Sequence, residues 1–337
     1  MTKIKLSHIN FLSVAILGFL LILNIAVRYI SKEQDKIFWD AEIYSSTKNS
    51  SAQKANVIKI IEVVLHNTFN QSTKNLNFEP LGQTSSIVSE SNQKHIVFDT
   101  WKAELLPDSI HLKYFSIDER RFYLLSTKLP YEKLRKLTKK SGLNPTLSFE
   151  MLPAGKSVLR LITTKNENQK SISVETFTAK ETVGDIEMLI YEDRLGEKYK
   201  PYDNIESIID FSDLLQNQYK WIFKAEIDPA NVLKEVSALF YSQENVNFLA
   251  NTRDSLPIPS RFDIKWGNQQ EYGTQYYFNP IKILNAFRQL QKIESLEPII
   301  ISFRLFNEKV PQCEISRGGK IIKLNNLYPE KPIKYAR

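Results

Sequence analysis

At 337 residues, 42% hydrophobic and 11% aromatic, the chain has the length of about two domains and the means to build ordinary cores. Ten glycines argue against a fold that needs several glycine-dependent phosphate loops, and one cysteine, Cys313, excludes an intramolecular disulfide. With Lys3, Lys5 and Arg28 set aside, 42 basic residues face 38 acidic ones, a mildly basic remainder that makes no case for nucleic acid.

The first predicted element is Ile9 to Val27, apolar except for Asn10, Ser13, Gly18 and Asn24. As a helix it would extend about 28 Å, close to the thickness of a hydrocarbon core. Lys3 and Lys5 precede it, the pattern of a cytoplasmic N-terminus. No convincing small-x-small cleavage site follows, and no cysteine is present there to carry a lipid. The expectation is a cytoplasmic tail over 1–8 and a transmembrane signal anchor over 9–28. Everything after it would then be periplasmic, held at the inner membrane by one pass.

Trp39 to Ile43 reads as a strand. Val57, Ile60, Ile61, Val64, Leu65 and Thr68 fall at helical spacing, so an amphipathic helix is expected over 55–69. A polar loop over 71–94 follows, then a short strand at 95–97. Residues 110–128 form a predicted hairpin with a polar tip at Asp118-Glu119-Arg120. Pro130 suits the first turn of a helix whose apolar face is Tyr131, Leu134 and Leu137. Strands are expected at 146–151, 157–164 and 171–178, and 191–202 is the candidate linker.

Beyond it, a helix is expected at 205–215, a strand at 221–227 and a second helix at 230–241, where Val232, Leu233, Val236, Leu239 and Phe240 are apolar. Residues 261–278 read as a hairpin, Asn279 and Pro280 as the start of a helix, and 299–306 as a strand. A last hairpin closes 313–324. The second series repeats the first: Leu106-Pro107 matches Leu256-Pro257, Pro130 matches Pro280, and Ser148-Phe149 matches Ser302-Phe303, at an offset of 150 to 154 residues. The expected fold class is α+β: a transmembrane helix followed by two related α+β halves, 31–190 and 203–337, with mainly antiparallel sheets.

Leu106-Pro107-Asp108-Ser109-Ile110, Tyr114-Phe115-Ser116, Leu129-Pro130-Tyr131-Glu132-Lys133 and Leu152-Pro153-Ala154-Gly155-Lys156 carry a resemblance over roughly 100–180, with a weaker echo at 255–305. There the chain resembles an uncharacterised family of bacterial, mostly lipid-anchored envelope proteins, a domain of unknown function. The resemblance implies an envelope location and an α+β fold. It transfers no catalytic residue, and this chain departs from the pattern by lacking the lipidated cysteine.

None of the familiar catalytic patterns occurs: no HExxH, GxSxG, Walker loop, GxGxxG or CxxC. His8, His66, His95 and His111 are scattered, and Asp118-Glu119 sits at a turn tip beside basic residues. No cofactor and no metal is expected. From Arg120 to Lys140 eight basic residues accompany one acid, Glu132. Arg120, Arg121, Lys133, Arg135, Lys136, Lys139 and Lys140 are therefore either a solvated face or a surface for an acidic protein or anionic lipid. The second hairpin is dense in aromatics, so Trp266, Tyr272 and Tyr276 are either core or anchors for a partner. The function expected is a non-catalytic, membrane-anchored periplasmic binding protein with a protein partner, in its sharpest form an immunity protein that neutralises a toxin. An envelope hydrolase with dispersed catalytic residues, or an assembly or sensor factor, stands as the alternative.

Overall fold

The computed structural model describes residues 6–33, 35–47, 56–75, 87–89, 96–98, 102–141, 144–165, 168–191, 200–242, 244–248 and 255–335. Helix α1 (Leu6–Glu33) comes first. The first half contains β1 (Asp40–Ser45), β2 (Val57–Asn67), β3 (Ser72–Asn75), β4 (Ile87–Ser89), β5 (Ile96–Phe98), β6 (Ser109–Ser116) and β7 (Arg121–Lys128). It continues through α2 (Tyr131–Ser141), β8 (Thr146–Met151), β9 (Lys156–Lys165), β10 (Asn168–Thr178) and β11 (Lys180–Thr182). Two short helices, α3 (Ile186–Ile190) and α4 (Ile208–Gln216), lead into β12 (Gln218–Tyr219). The second half contains β13 (Trp221–Glu226), β14 (Val232–Phe240), β15 (Asn245–Asn247), β16 (Leu256–Pro257), β17 (Pro259–Gly267) and β18 (Glu271–Tyr277). It ends with α5 (Pro280–Gln291), β19 (Ile299–Arg304), β20 (Gln312–Arg317), β21 (Lys320–Leu324) and β22 (Ile333–Tyr335).

Among the described residues each half holds two main sheets, and β12 pairs with β16 in a further two-stranded one. In the first half their orders are β10-β9-β8-β1-β5 and β11-β7-β6-β2-β3, with β4 also on β2. In the second half they are β13-β19-β20-β21 and β15-β14-β17-β18-β22. Reading β1, β2, β3, β6, β7, α2, β8, β9, β10, β11 against β13, β14, β15, β17, β18, α5, β19, β20, β21, β22 gives one plan twice. Even the parallel pair recurs, β1 on β8 and β13 on β19. Registers fix the correspondence residue by residue. Ile43 pairs with Phe149 and Phe149 with Leu159, as Ala225 pairs with Phe303 and Phe303 with Cys313. Trp39 and Trp221 fall at equivalent places in that register, and both are buried.

The expected α+β class is corrected: strand far outweighs helix among the described residues, a mostly β protein. Two predicted helices, 55–69 and 230–241, are the strands β2 and β14. A bulge explains the first misreading. Ile58 and Ile60 point inward, the register then slips between Ile60 and Glu62, and Val63 and Leu65 take over the inward face. That slip mimics a helical period. In β14 the alternation is clean only from Val236 through Ala238 to Phe240, because another slip sits between Leu233 and Glu235.

The transmembrane helix, the signal anchor and the single-pass inner-membrane location are corrected as well. Among the described residues no helix is long and apolar enough to cross a membrane. Ser13, Gly18 and Asn24 interrupt the apolar run of α1, which is not apolar enough for a span.

Two cores form. One fills the first half around Trp39, Tyr114, Phe149 and Leu161, with Leu134 of α2 inserted. The other fills the second half and also takes in Phe115, Ile117 and Phe122 from the first. Phe115 meets Phe211, whose ring lies against Tyr202, so these two residues of the connection are packed between the halves.

Candidate functional site

The basic residues singled out in the sequence are mostly engaged inside the molecule. Arg120 pairs with Asp213 of α4 at 2.8 Å, and Arg288 of α5 pairs with Asp213 at 2.6 Å and Asp210 at 2.7 Å. This chain of charges ties the first half to the second. Nearby, Asp118 accepts from Val57 N–H at 2.9 Å and from Gln216 Nε2 at 3.1 Å. Lys59, buried, lies over the rings of Tyr202 and Phe211. Arg121 pairs with Glu181 on the surface at 2.9 Å.

On α2, Lys133 donates to the Val174 carbonyl. Arg135 and Lys139 both reach Asp35, each at 2.8 Å, and the Asp35 side chain is only 1% exposed. Burial alone would raise that carboxyl, but hydrogen bonds from Lys139 and Arg135 outweigh it and hold Asp35 below the usual carboxylate range. Lys136 is exposed, while the Lys140 side chain lies outside the described residues. The patch therefore secures the entry into β1 and the joint between halves, and it does not form one free surface.

Of the two readings of the aromatic candidates, burial fits the core. Trp266, Tyr272 and Tyr276 all belong to the second core. The Trp266 indole N–H donates to Asn307 Oδ1 at 3.2 Å and its ring stacks with Tyr272 at 6.0 Å. None of the three presents its ring to a partner on the outer surface.

A sizeable concave feature lies elsewhere. A cleft of about 950 Å³ opens where the C-terminal ends of β13 and β19 meet the start of β20 and the end of β21. Its floor is the register row Ala225, Phe303, Cys313 and Leu324, with Tyr276 facing it from the other sheet. The cleft exists for a reason that the duplication makes visible. In the first half the row reads Ile43, Phe149 and Leu159, all fully buried. The second half keeps the phenylalanine but replaces Ile by Ala225 and Leu by Cys313. Two smaller side chains leave space that the first half fills.

Charges stand on the rim: Arg304 Nε pairs with Glu226 at 3.0 Å, with Lys224, Glu314 and Lys323 beside them. The segment after β21 closes one side, pinned by Asn326. Its Oδ1 accepts from the Tyr277 N–H at 3.0 Å, and its Nδ2 donates to the Gln275 carbonyl at 3.2 Å. Tyr276 donates its hydroxyl to the Leu324 carbonyl, and burial, with Cys313 adding to it, pushes the phenol up so that it stays protonated. Burial and Glu314 likewise push the Cys313 thiol well up, so neither group offers an anionic nucleophile at neutral pH. The cleft thus offers shape and a mixed-charge rim. Among the described residues no cluster of His, Cys, Asp and Glu is arranged to hold a metal ion.

Ala225, Cys313, Glu314 and Asn326 were not among the residues singled out from the sequence. One signal was there for Cys313: the 154-residue offset of Ser148 and Ser302 carries Leu159 onto it, a core position that loses size. No known protein family, curated protein or solved structure matches the chain.

Proposed function

We propose that the protein is a non-catalytic binding protein whose second half receives a segment of a protein partner in the cleft, while the first half is a filled scaffold. The observation that carries this reading is the paired size change, Ile43 to Ala225 and Leu159 to Cys313, at equivalent places in two copies of one plan. A volume of about 950 Å³ is of the size that ligand sites reach. Protonated Tyr276 and Cys313 suit recognition better than bond cleavage. Inhibition by occlusion, as an immunity protein inhibits a toxin, would need nothing beyond such a site.

The test is to give the second half the first half's side chains. The double variant Ala225→Ile, Cys313→Leu should fold normally. Peptides selected on the wild type from a displayed random library should bind it at least about tenfold more weakly by calorimetry, since filled volume excludes an anchoring side chain. Undiminished binding of those peptides would remove the cleft from consideration.

A further inference from the structure

Among the described residues, every flanking strand of the first half has a partner in the second except β4, on β2, and β5, on β1. β3 lies on β2 as β15 lies on β14, and β11 lies on β7 as β22 lies on β18. β5 lies antiparallel on β1, with Ile43 opposite Ile96, Glu42 opposite Val97 and Ala41 opposite Phe98. On β13 the corresponding edge has no strand among the described residues, and β13 ends its sheet. The chain explains the difference. Residues 76–108, between β3 and β6, supply β4 and β5, whereas only residues 248–255 lie between β15 and β16.

The backbone of β13 is set to accept a strand. Ile299 N–H donates to the Lys220 carbonyl and Leu305 N–H to the Glu226 carbonyl, so the even-numbered residues address β19. Alternation then turns the N–H and C=O of Phe223 and Ala225 to the open edge. In the first half the same logic holds: Asp40 N–H donates to Pro145 and Ser46 N–H to Met151, and it is Ala41 and Ile43 that address β5. The open edge also borders the cleft, because Ala225 belongs to both.

We propose that β13 is completed by an extended segment of a partner protein, added antiparallel in the place that β5 occupies on β1. This deepens the cleft reading and rests on it: the partner residue opposite Ala225 points into the cleft. The side chains around the edge define the segment. Opposite Phe223 and Ala225 it carries apolar residues, as Phe98 and Ile96 stand opposite Ala41 and Ile43 in the first half. Opposite Lys224, exposed on the outer face, it carries an acidic residue, because opposite charges across a strand pair attract. The recognised pattern is apolar–acidic–apolar.

The probe is a synthetic peptide copying residues 93–101 of this chain and carrying V97E, titrated into the full protein. Amide exchange of Phe223 and Ala225 should slow at least about tenfold at saturation, with no such change at β1. A peptide carrying V97K should bind about threefold to fivefold more weakly, and Lys224→Glu should reverse that preference. Ala225→Pro removes an outward N–H that an incoming strand needs, so it should cost at least about tenfold in affinity with β19 pairing intact. Unprotected Phe223 and Ala225 at saturating peptide, or a charge preference unmoved by Lys224→Glu, would overturn strand addition. The two readings separate cleanly. Binding lost with Cys313→Leu but kept with Ala225→Pro leaves the cleft and rejects the strand. Binding lost with Ala225→Pro but kept with Cys313→Leu leaves the strand and rejects the cleft.

Discussion

The two halves of this protein follow one plan and differ in how completely they are finished. In the first, β1 is flanked on both sides and its inward row is filled by Ile43, Phe149 and Leu159. In the second, β13 has β19 alone beside it among the described residues, and its row contains Ala225 and Cys313. Duplication lets one copy hold the structure while the other gives up packing. The lesson is that a missing strand and a shrunken side chain at equivalent places are one event seen twice, because a segment that would cover the edge would also plug the space.

Making the first half resemble the second should be the costliest change. Ile43→Ala opens a cavity under a fully covered strand and should destabilise by about 2–5 kcal/mol, read as a fall in the urea midpoint at constant slope. Alanine is the native residue at the equivalent place, 225. Next in size is the joint. Arg288→Ala leaves Asp210 and Asp213 without their shared cation and should cost about 1–2 kcal/mol, allowing for the partial exposure of all three. If the halves are coupled through it, the unfolding transition should also broaden or split.

Asp35 gives a smaller effect with a definite pH signature. Its folded carboxyl is held below its ordinary value, so its contribution is full above the unfolded value of about 3.9 and drains as the pH falls through the lowered one. Asp35→Asn should therefore be less stable than wild type by about 1 kcal/mol near pH 6. The gap should close below about pH 4 in a series of thermal melts. Smallest of all, Lys136→Glu should change stability by less than about 0.5 kcal/mol, since Lys136 is an exposed residue of α2.

Much of this plan can be read from the sequence by landmarks that geometry forces. Pro130 and Pro280 open the two helices, Asn279 caps the second through Lys282 N–H at 3.0 Å, and both hairpins turn at polar tips. Ser148-Phe149 and Ser302-Phe303 take equivalent places in their sheets. The long strands β2 and β14 are not legible in that way, because bulges shift the inward face by one residue and imitate a helical period. Buried Lys59 adds to the confusion, a charge placed inward because Tyr202 and Phe211 receive it. The basic run of α2 and the aromatic second hairpin attract attention as surfaces because composition alone does not reveal partners. Asp35 and Val174 occupy three of those cations, and the aromatic rings fill a core. The cleft escapes notice for the opposite reason: it is made of small residues, and smallness signifies only beside the larger counterpart.

The contrast between a covered and an open edge is tested most directly by amide exchange on the protein alone, comparing β1 with β13. Ala41 and Ile43 address β5, while Phe223 and Ala225 turn outward. The account predicts that Phe223 and Ala225 exchange about a hundredfold or more faster than Ala41 and Ile43, at equal protection of the even-numbered residues that bond to β8 and β19. Equal protection of Ala41, Ile43, Phe223 and Ala225 would mean that the edge of β13 is already occupied, and the contrast between the halves would fall.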